Sequence, residues 1–133
     1  MIPRSAIAAL LTLPLFSSCI LVAGAGAGVL VARELENDEV ERRVELPVDI
    51  ELAWEGARRA LKNLGADEIQ TAEHPRRMIG EVEPGALELE FVSAGPNRTE
   101  LRLRGIRGLG RSDAELAERG LEAVLAELDV QLD

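Results

Sequence analysis

The feature that most limits what this chain can fold into is an uncharged stretch from Ser5 to Ala32. The stretch is largely apolar, whereas residues 33–133 are rich in charge. An apolar segment of this length can enter or span a bilayer, so a water-soluble fold has to be built from the residues that follow it. Those residues suffice for one domain with a single hydrophobic core.

The start of the uncharged stretch has the parts of a secretory signal, namely a basic residue, Arg4, an apolar run and small residues before a cysteine. Its end, Leu15-Phe16-Ser17-Ser18-Cys19, resembles a lipobox in which Phe16 stands where leucine is usual. The resemblance implies a diacylglyceryl thioether on Cys19, cleavage before it and stable membrane anchoring, because each buried CH₂ contributes about 0.8 kcal/mol. We therefore expect a signal peptide at 1–18, a lipidated Gly/Ala-rich tether at 19–38 and a domain at 39–133.

Two alternatives to a lipoprotein stay open. Ser5–Ala32 is long enough to cross a bilayer as an uncleaved helix, although Pro14 and several glycines weaken it. Cys19 could also be a buried free cysteine in an ordinary core. Under the lipoprotein interpretation the domain faces the periplasm, and Ile20 after the cysteine, where aspartate would signal retention in the inner membrane, resembles outer-membrane sorting.

Composition argues against several classes of partner. The sequence has 24 acidic and 15 basic side chains, a formal net charge of −9, which repels nucleic acid and anionic headgroups. After the predicted signal only Trp54 and Phe91 are aromatic, so stacking on sugars or bases is not expected. With a single cysteine no intramolecular disulfide can form, and the fold must rest on packing.

Hydrophobic periodicity predicts an α+β domain. Val40–Leu46 alternates as a half-buried strand, and Asp49 precedes an amphipathic helix that Gly65 ends. The last helix opens on a capping box, Ser112-Asp-Ala-Glu115. Between the helices lie four predicted strands, at 67–73, 78–83, 87–91 and 99–104. The order β-α-β-β-β-β-α favours an antiparallel sheet with both helices on one face.

The last two of these strands also predict a charge pattern. If they pair as a hairpin, Glu88 and Glu90 face Arg102 and Arg104 on one surface. Opposite-charge cross-strand pairs contribute about 0.2–1 kcal/mol each. This pairing would explain the arginines without a ligand.

Candidate sites are few. His74, the single histidine, lies in a polar turn without a nucleophile or an orienting partner, so it is not expected to be catalytic. No Cys/His cluster or calcium-loop spacing predicts a metal. The segment Gly105–Arg111 joins a strand to a helix but matches neither the dinucleotide fingerprint nor a P-loop. Arg107 and Arg111 are therefore only weak candidates for binding an anion, and no enzyme activity and no cofactor are expected.

Together these features are similar to a family of small Gram-negative lipoproteins of unknown function. The residues that carry the resemblance are Cys19, the following Gly-Ala repeat, Trp54, Leu64-Gly65, the Gly80-containing strand and the Ser112-capped helix. The resemblance implies a fold of the TATA-binding-protein type without DNA binding, and it assigns a role only to Cys19, as the lipid attachment site.

The sequence thus predicts a lipid-anchored envelope protein with a structural or protein-interaction role. The alternative class is a ligand-binding module, with a small apolar or anionic molecule held between sheet and helices or near Arg107 and Arg111.

Overall fold

The structure, a computed structural model, describes residues 30–36 and 40–133. These residues form seven strands and two α-helices. The strands are β1 Leu30–Glu34, β2 Arg42–Leu46, β3 Ile69–Glu73, β4 Arg76–Val82, β5 Gly85–Gly95, β6 Arg98–Ile106 and β7 Val130–Leu132, and the helices are α1 Ile50–Asn63 and α2 Ala114–Leu128. The predicted signal peptide and Cys19 lie outside the described residues.

The seven strands form one sheet in the order β3-β4-β5-β6-β2-β1-β7. Every neighbouring pair is antiparallel except β1 and β7, which are parallel. The α+β class and the mostly antiparallel sheet with two helices were predicted correctly from the sequence. The predicted element order was wrong in detail, because it lacked β1 and β7.

The two missed strands have weak local signals. β1 lies in the segment that the sequence suggested as a tether, and Ala32 is its one buried residue. β7 has three residues, which is too short to show a period of two. Both strands are held by pairing, since Leu30 lies opposite Val130, which is distant in the chain, and Arg33 lies opposite Glu45 on the next strand. Such long-range pairing leaves no pattern in a local window of sequence.

Strand direction gives the sheet two distinct ends. β1 is antiparallel to β2, and β2 is antiparallel to β6, so β1 and β6 run in the same direction. One end, here called the Leu30 end, is where β1 begins. The opposite end, the Ile106 end, is where β6 leaves the sheet toward the loop before α2.

The hydrophobic core lies between the helices and one face of the sheet. Alternate residues of the central strands point into it, and both helices contact β5 and β6. The largest fully buried side chains are Leu46, Leu61, Met78, Leu87, Leu89, Leu101, Leu103, Leu116, Leu121, Val44, Val82 and Val124. The period of two in the strands and the three- and four-residue spacing in the helices therefore meet in one core.

The first helix begins and ends as its sequence predicts. Asp49 has extended backbone angles, and its carboxylate accepts a hydrogen bond of 3.0 Å from the Leu52 amide. Gly65, just after the helix, has φ of +106°, which a residue with a Cβ rarely adopts. Both signals match the usual termini of a helix.

The start of the second helix differs from the prediction. Asp113, not Ser112, is its N-cap, and the Asp113 carboxylate accepts a hydrogen bond of 3.1 Å from the Leu116 amide. Ser112 instead pairs as an isolated bridge with Ile106, at the end of β6. Because that bridge holds Ser112 against the sheet, the helix begins one residue later.

A buried hydroxyl links the sheet to the segment before α1. Thr99 is fully buried, and its Oγ1 donates a hydrogen bond of 2.9 Å to the carbonyl of Val48. We expect Thr99→Val to lower the free energy of unfolding by about 1–2 kcal/mol, because the carbonyl loses its partner. Thr71 on the edge strand β3 is exposed, so Thr71→Val is the matched control and should change little. Equal effects in urea denaturation would contradict this role for the hydroxyl.

Candidate functional site

The predicted site residues are spread over the molecule. Cys19 lies outside the described residues, and its lipidation stays a prediction. His74 is exposed in the turn between β3 and β4. Arg107 and Arg111 flank a 3₁₀ turn, Gly108–Gly110, in the loop at the Ile106 end of the sheet. The structure therefore places His74 and the two arginines at opposite ends of the sheet.

The loop containing the two arginines is closed at its base. The Arg107 amide donates to the carbonyl of Arg111 over 2.7 Å, and the Gly110 amide donates to the carbonyl of Arg107 over 3.1 Å. Below them, the Asp113 amide donates to the carbonyl of Gly105 over 2.8 Å. This glycine-rich connection thus has a hydrogen-bonded stem. We call residues 107–111 the 107–111 tip.

The two arginines of the tip differ in their surroundings. Arg107 Nε lies 3.1 Å from Asp113 Oδ2, so its charge is partly neutralised by the carboxylate that also caps α2. Arg111 is exposed and makes no ion pair with any of the residues 30–36 and 40–133. Of the two candidates, Arg111 is therefore the one with a guanidinium open to an anionic group.

Between the two arginines the tip presents a leucine. Leu109 is 100% exposed and has φ of +64°, in the left-handed region. Branched and bulky side chains rarely adopt that conformation. Sequence analysis named the two arginines but missed Leu109, because the exposure of a single apolar residue is decided by how the loop leaves the fold.

The sheet face opposite the helices carries a ladder of charges. Glu88 and Glu90 lie opposite Arg104 and Arg102, as predicted for the hairpin. Arg102 Nη1 is 3.3 Å from Glu90 Oε2, and Arg104 Nη1 is 3.9 Å from Glu88 Oε1. A hydrogen bond to Glu100 raises the pKa of Arg102 further above its usual value. These arginines are matched by carboxylates within the sheet, which explains them without a ligand.

Trp54 belongs to a cluster of side chains at the edge of the core. Its ring lies 5.2 Å from that of Phe91 in an edge-on arrangement, and Arg76 Cζ lies 4.5 Å from the Trp54 ring centroid. Arg76 in turn donates two hydrogen bonds, of 2.8 and 3.0 Å, to Glu51. These hydrogen bonds lower the pKa of the Glu51 carboxyl. Trp54 therefore packs against the core with its ring half-buried and covered by a guanidinium.

A cleft that the sequence did not predict lies at the Ile106 end. It has a volume of about 780 Å³ and is open to solvent. Its lining is Leu64, Gly65, Asp67, Glu68, Gln70, Ile79, Glu81, Glu83, Ala86 and Arg119. Arg119 donates a hydrogen bond of 3.0 Å to the carbonyl of Glu83. The four carboxylates come from two segments, Asp67-Glu68 before β3 and Glu81 and Glu83 around the end of β4, which the pairing of β3 with β4 brings together.

The place where an apolar ligand was considered, between sheet and helices, is occupied by the core. Leu89 and Leu103 on the sheet and Leu121 on α2 fill it, each at most 1% exposed. Among the described residues, no group of three or more His, Cys, Asp or Glu side chains is arranged to hold a metal ion. Neither helix of the described region is long and apolar enough to cross a membrane.

Comparison with known proteins gives no relative from which a role could be transferred. No family model, no curated protein and no solved structure matches the chain significantly.

Proposed function

We propose that the protein is a lipid-anchored protein of the cell envelope, whose domain faces the periplasm and has a structural or protein-interaction role. The observation that carries the proposal is the uncharged stretch Ser5–Ala32 with the single cysteine, Cys19, inside it after two serines. The resemblance to small Gram-negative lipoproteins supports the same conclusion. Ile20 after the cysteine favours the outer membrane as the place of the anchor.

The start of β1 limits how far the domain can lie from such an anchor. Residues 20–29 are all that separates Cys19 from Leu30, the first residue of β1. At most about 3.6 Å per residue, this spacer reaches no more than roughly 40 Å. The Leu30 end of the sheet is then the end that is joined to the spacer, and the Ile106 end with its loop is the opposite one.

The surface of the described residues supports an interaction role better than an enzymatic one. The described residues bring together no nucleophile, base and orienting group, and His74 stands exposed at the end of the sheet opposite the 107–111 tip. The outer sheet face is covered by its own ion pairs. The tip differs from that face, because a fully exposed leucine lies beside Arg111, which makes no ion pair among the described residues.

A small-ligand module is the second candidate, and the acidic cleft is the observation that favours it. Carboxylates of Asp67, Glu68, Glu81 and Glu83 line it. A ligand there would be a cation, in contrast to the apolar or anionic molecule considered from the sequence. A thermal-shift screen of the purified full chain separates the two functions, because a ligand that binds the native state raises Tm. No shift with polyamines would remove this candidate.

The lipid anchor is tested by labelling with a clickable fatty acid in a Gram-negative host. We expect label on the wild type and a mature mass that lacks residues 1–18. Cys19→Ala should lose the label, because the thioether needs its thiol, and should keep residues 1–18. Ser17→Ala, which changes another small residue of the same segment, is the matched control and should stay labelled.

Two results would contradict the lipoprotein proposal. An unlabelled wild type that keeps residues 1–18 in the membrane fraction would identify Ser5–Ala32 as an uncleaved anchor. An unlabelled chain in the soluble fraction would place the segment in a core.

A further inference from the structure

We propose that the 107–111 tip is a docking element that inserts Leu109 into an apolar pocket edged by carboxylates on a protein partner. This inference rests on the proposed interaction role and names the surface and the chemistry of the partner. The tip is Arg107-Gly-Leu-Gly-Arg111, and it forms the turn between β6 and α2.

The exposure of Leu109 is unusual within this molecule. It is 100% exposed, whereas Leu52, the next most exposed large apolar side chain among the described residues, is 58% exposed. Its left-handed backbone, with φ of +64°, is one that asparagine or glycine adopts more readily than leucine. Neither solvation nor backbone preference favours leucine here, and a contact outside the domain would bury this side chain and offset part of that cost.

The tip is ordered before any partner arrives. Two backbone hydrogen bonds close it, from the amide of Arg107 to the carbonyl of Arg111 and from the amide of Gly110 to the carbonyl of Arg107. The ion pair between Arg107 and Asp113 ties it to the start of α2. A surface that is already ordered loses less conformational freedom on binding, which favours affinity.

The charges around Leu109 indicate which groups should surround the pocket on the partner. Arg111 is exposed and has no ion-pair partner among the described residues, and the Arg107 side chain is 52% exposed despite its pair with Asp113. Both can face carboxylates on the partner. The chain as a whole carries −9, but charges more than about 8 Å away are largely screened at physiological salt, so the local arginines decide the contact.

A bilayer surface fits the same tip less well. Even a single myristoyl chain gives only marginal membrane binding, and one leucine side chain is much smaller. The tip also lies at the Ile106 end, opposite the strand end that follows the proposed anchor. A protein pocket is the partner that these observations favour.

The test uses the full chain in its native host, with a photo-crosslinking amino acid in place of Gly108. A Cβ at Gly108 meets no atom within 4 Å, so the probe should be tolerated beside an intact Leu109. We expect one discrete adduct, reduced about tenfold or more by Leu109→Asn and by Arg111→Glu, as for residues at the centre of an interface. Leu52→Asn, at the other strongly exposed leucine, is the matched control and should leave the adduct unchanged.

The carboxylate rim is tested by charge exchange. Mass spectrometry of the adduct locates the crosslinked pocket on the partner, and an acidic residue there is changed to arginine. Together with Arg111→Glu, this change should restore the adduct. Asparagine suits the left-handed position, so Leu109→Asn should retain the wild-type Tm, which separates a lost contact from a lost fold.

Three results would overturn the docking proposal. The first is an adduct whose yield is unchanged by both tip substitutions, and the second is a charge exchange that does not restore the adduct. The third is Leu109-dependent sedimentation with vesicles of three parts phosphatidylethanolamine to one part phosphatidylglycerol. Fatty-acid labelling of the same cultures tests the lipid anchor separately from the docking element. Label without a tip-dependent adduct refutes the docking element alone, and a tip-dependent adduct without label supports docking while refuting the lipid anchor.

Discussion

Truncation of Leu103 to alanine should destabilise the domain by about 2–5 kcal/mol, the range for a leucine removed from a well-packed core. Leu103 is 0% exposed on β6, a central strand between β5 and β2, and lies opposite Leu89. Small domains have roughly 5–15 kcal/mol of stability in total, so this loss is a large fraction of it. The readout is urea denaturation of the detergent-solubilised full chain, followed by the fluorescence of Trp54, the one tryptophan.

The same chain supplies a matched control for this truncation. Leu109 is fully exposed, so Leu109→Ala removes the same atoms without opening a cavity. It should change the free energy of unfolding by no more than about 0.5 kcal/mol. Similar losses at positions 103 and 109 would contradict the placement of the core between sheet and helices.

Adding a methyl group at Gly105 should cost about 3 kcal/mol or more, at the upper end of what overpacking usually costs. A Cβ there would lie 2.2 Å from the carbonyl oxygen of Asp113 and 2.9 Å from the amide nitrogen of Ala117. Both are backbone atoms at the start of α2, so no side chain can move aside. The helix start must shift, and with it the hydrogen bond from the Asp113 amide to Gly105.

The control for Gly105→Ala lies three residues further along the chain. A Cβ at Gly108 would meet nothing within 4 Å. Gly108→Ala should therefore be neutral, or stabilise by up to about 1 kcal/mol through the unfolded chain. Urea denaturation and far-ultraviolet circular dichroism of both variants make the comparison. If Gly105→Ala has the same midpoint of urea unfolding as the wild type, β6 does not approach α2 as closely as described.

Much of the fold could be predicted from local patterns. The stripe of α1, its Asp49 cap and its Gly65 terminus each involve residues within one or two turns, and the structure confirms all of them. The hairpin of β5 and β6 was equally accessible, since alternation and a short turn set its register. Periodicity is strong where an element has one buried face and its partner is near in sequence.

The errors fall where distant residues compete with a local signal. Ser112 has the sequence of a helix cap, but its bridge to Ile106 leaves the capping to Asp113. β1 shows little alternation of its own, and it exists as a strand because β2 and β7 pair with it. The acidic cleft likewise depends on tertiary structure, because the start of β3, the end of β4 and Arg119 of α2 meet there.

The candidate site also has features that the sequence predicts and features that only the structure shows. Arg107 and Arg111 could be predicted as candidates from the sequence, because arginines in a glycine-rich connection are evident without a structure. The sequence did not reveal that Arg107 is paired with Asp113, that Arg111 is unpaired among the described residues, or that Leu109 is fully exposed between them. Those differences depend on how the stem of the tip closes against the start of α2.

By itself, the sequence determined the fold class, the two helices and the apolar stretch that suggests an anchor, because each follows from the spacing of apolar and charged residues. Tertiary structure alone decided which arginine is open, where the cleft lies, and that β1 begins at the end of the sheet opposite the 107–111 tip. The register and direction of strands distant in sequence fix these features. Their pairing energy comes from backbone hydrogen bonds and shared burial, which do not depend on any one residue type.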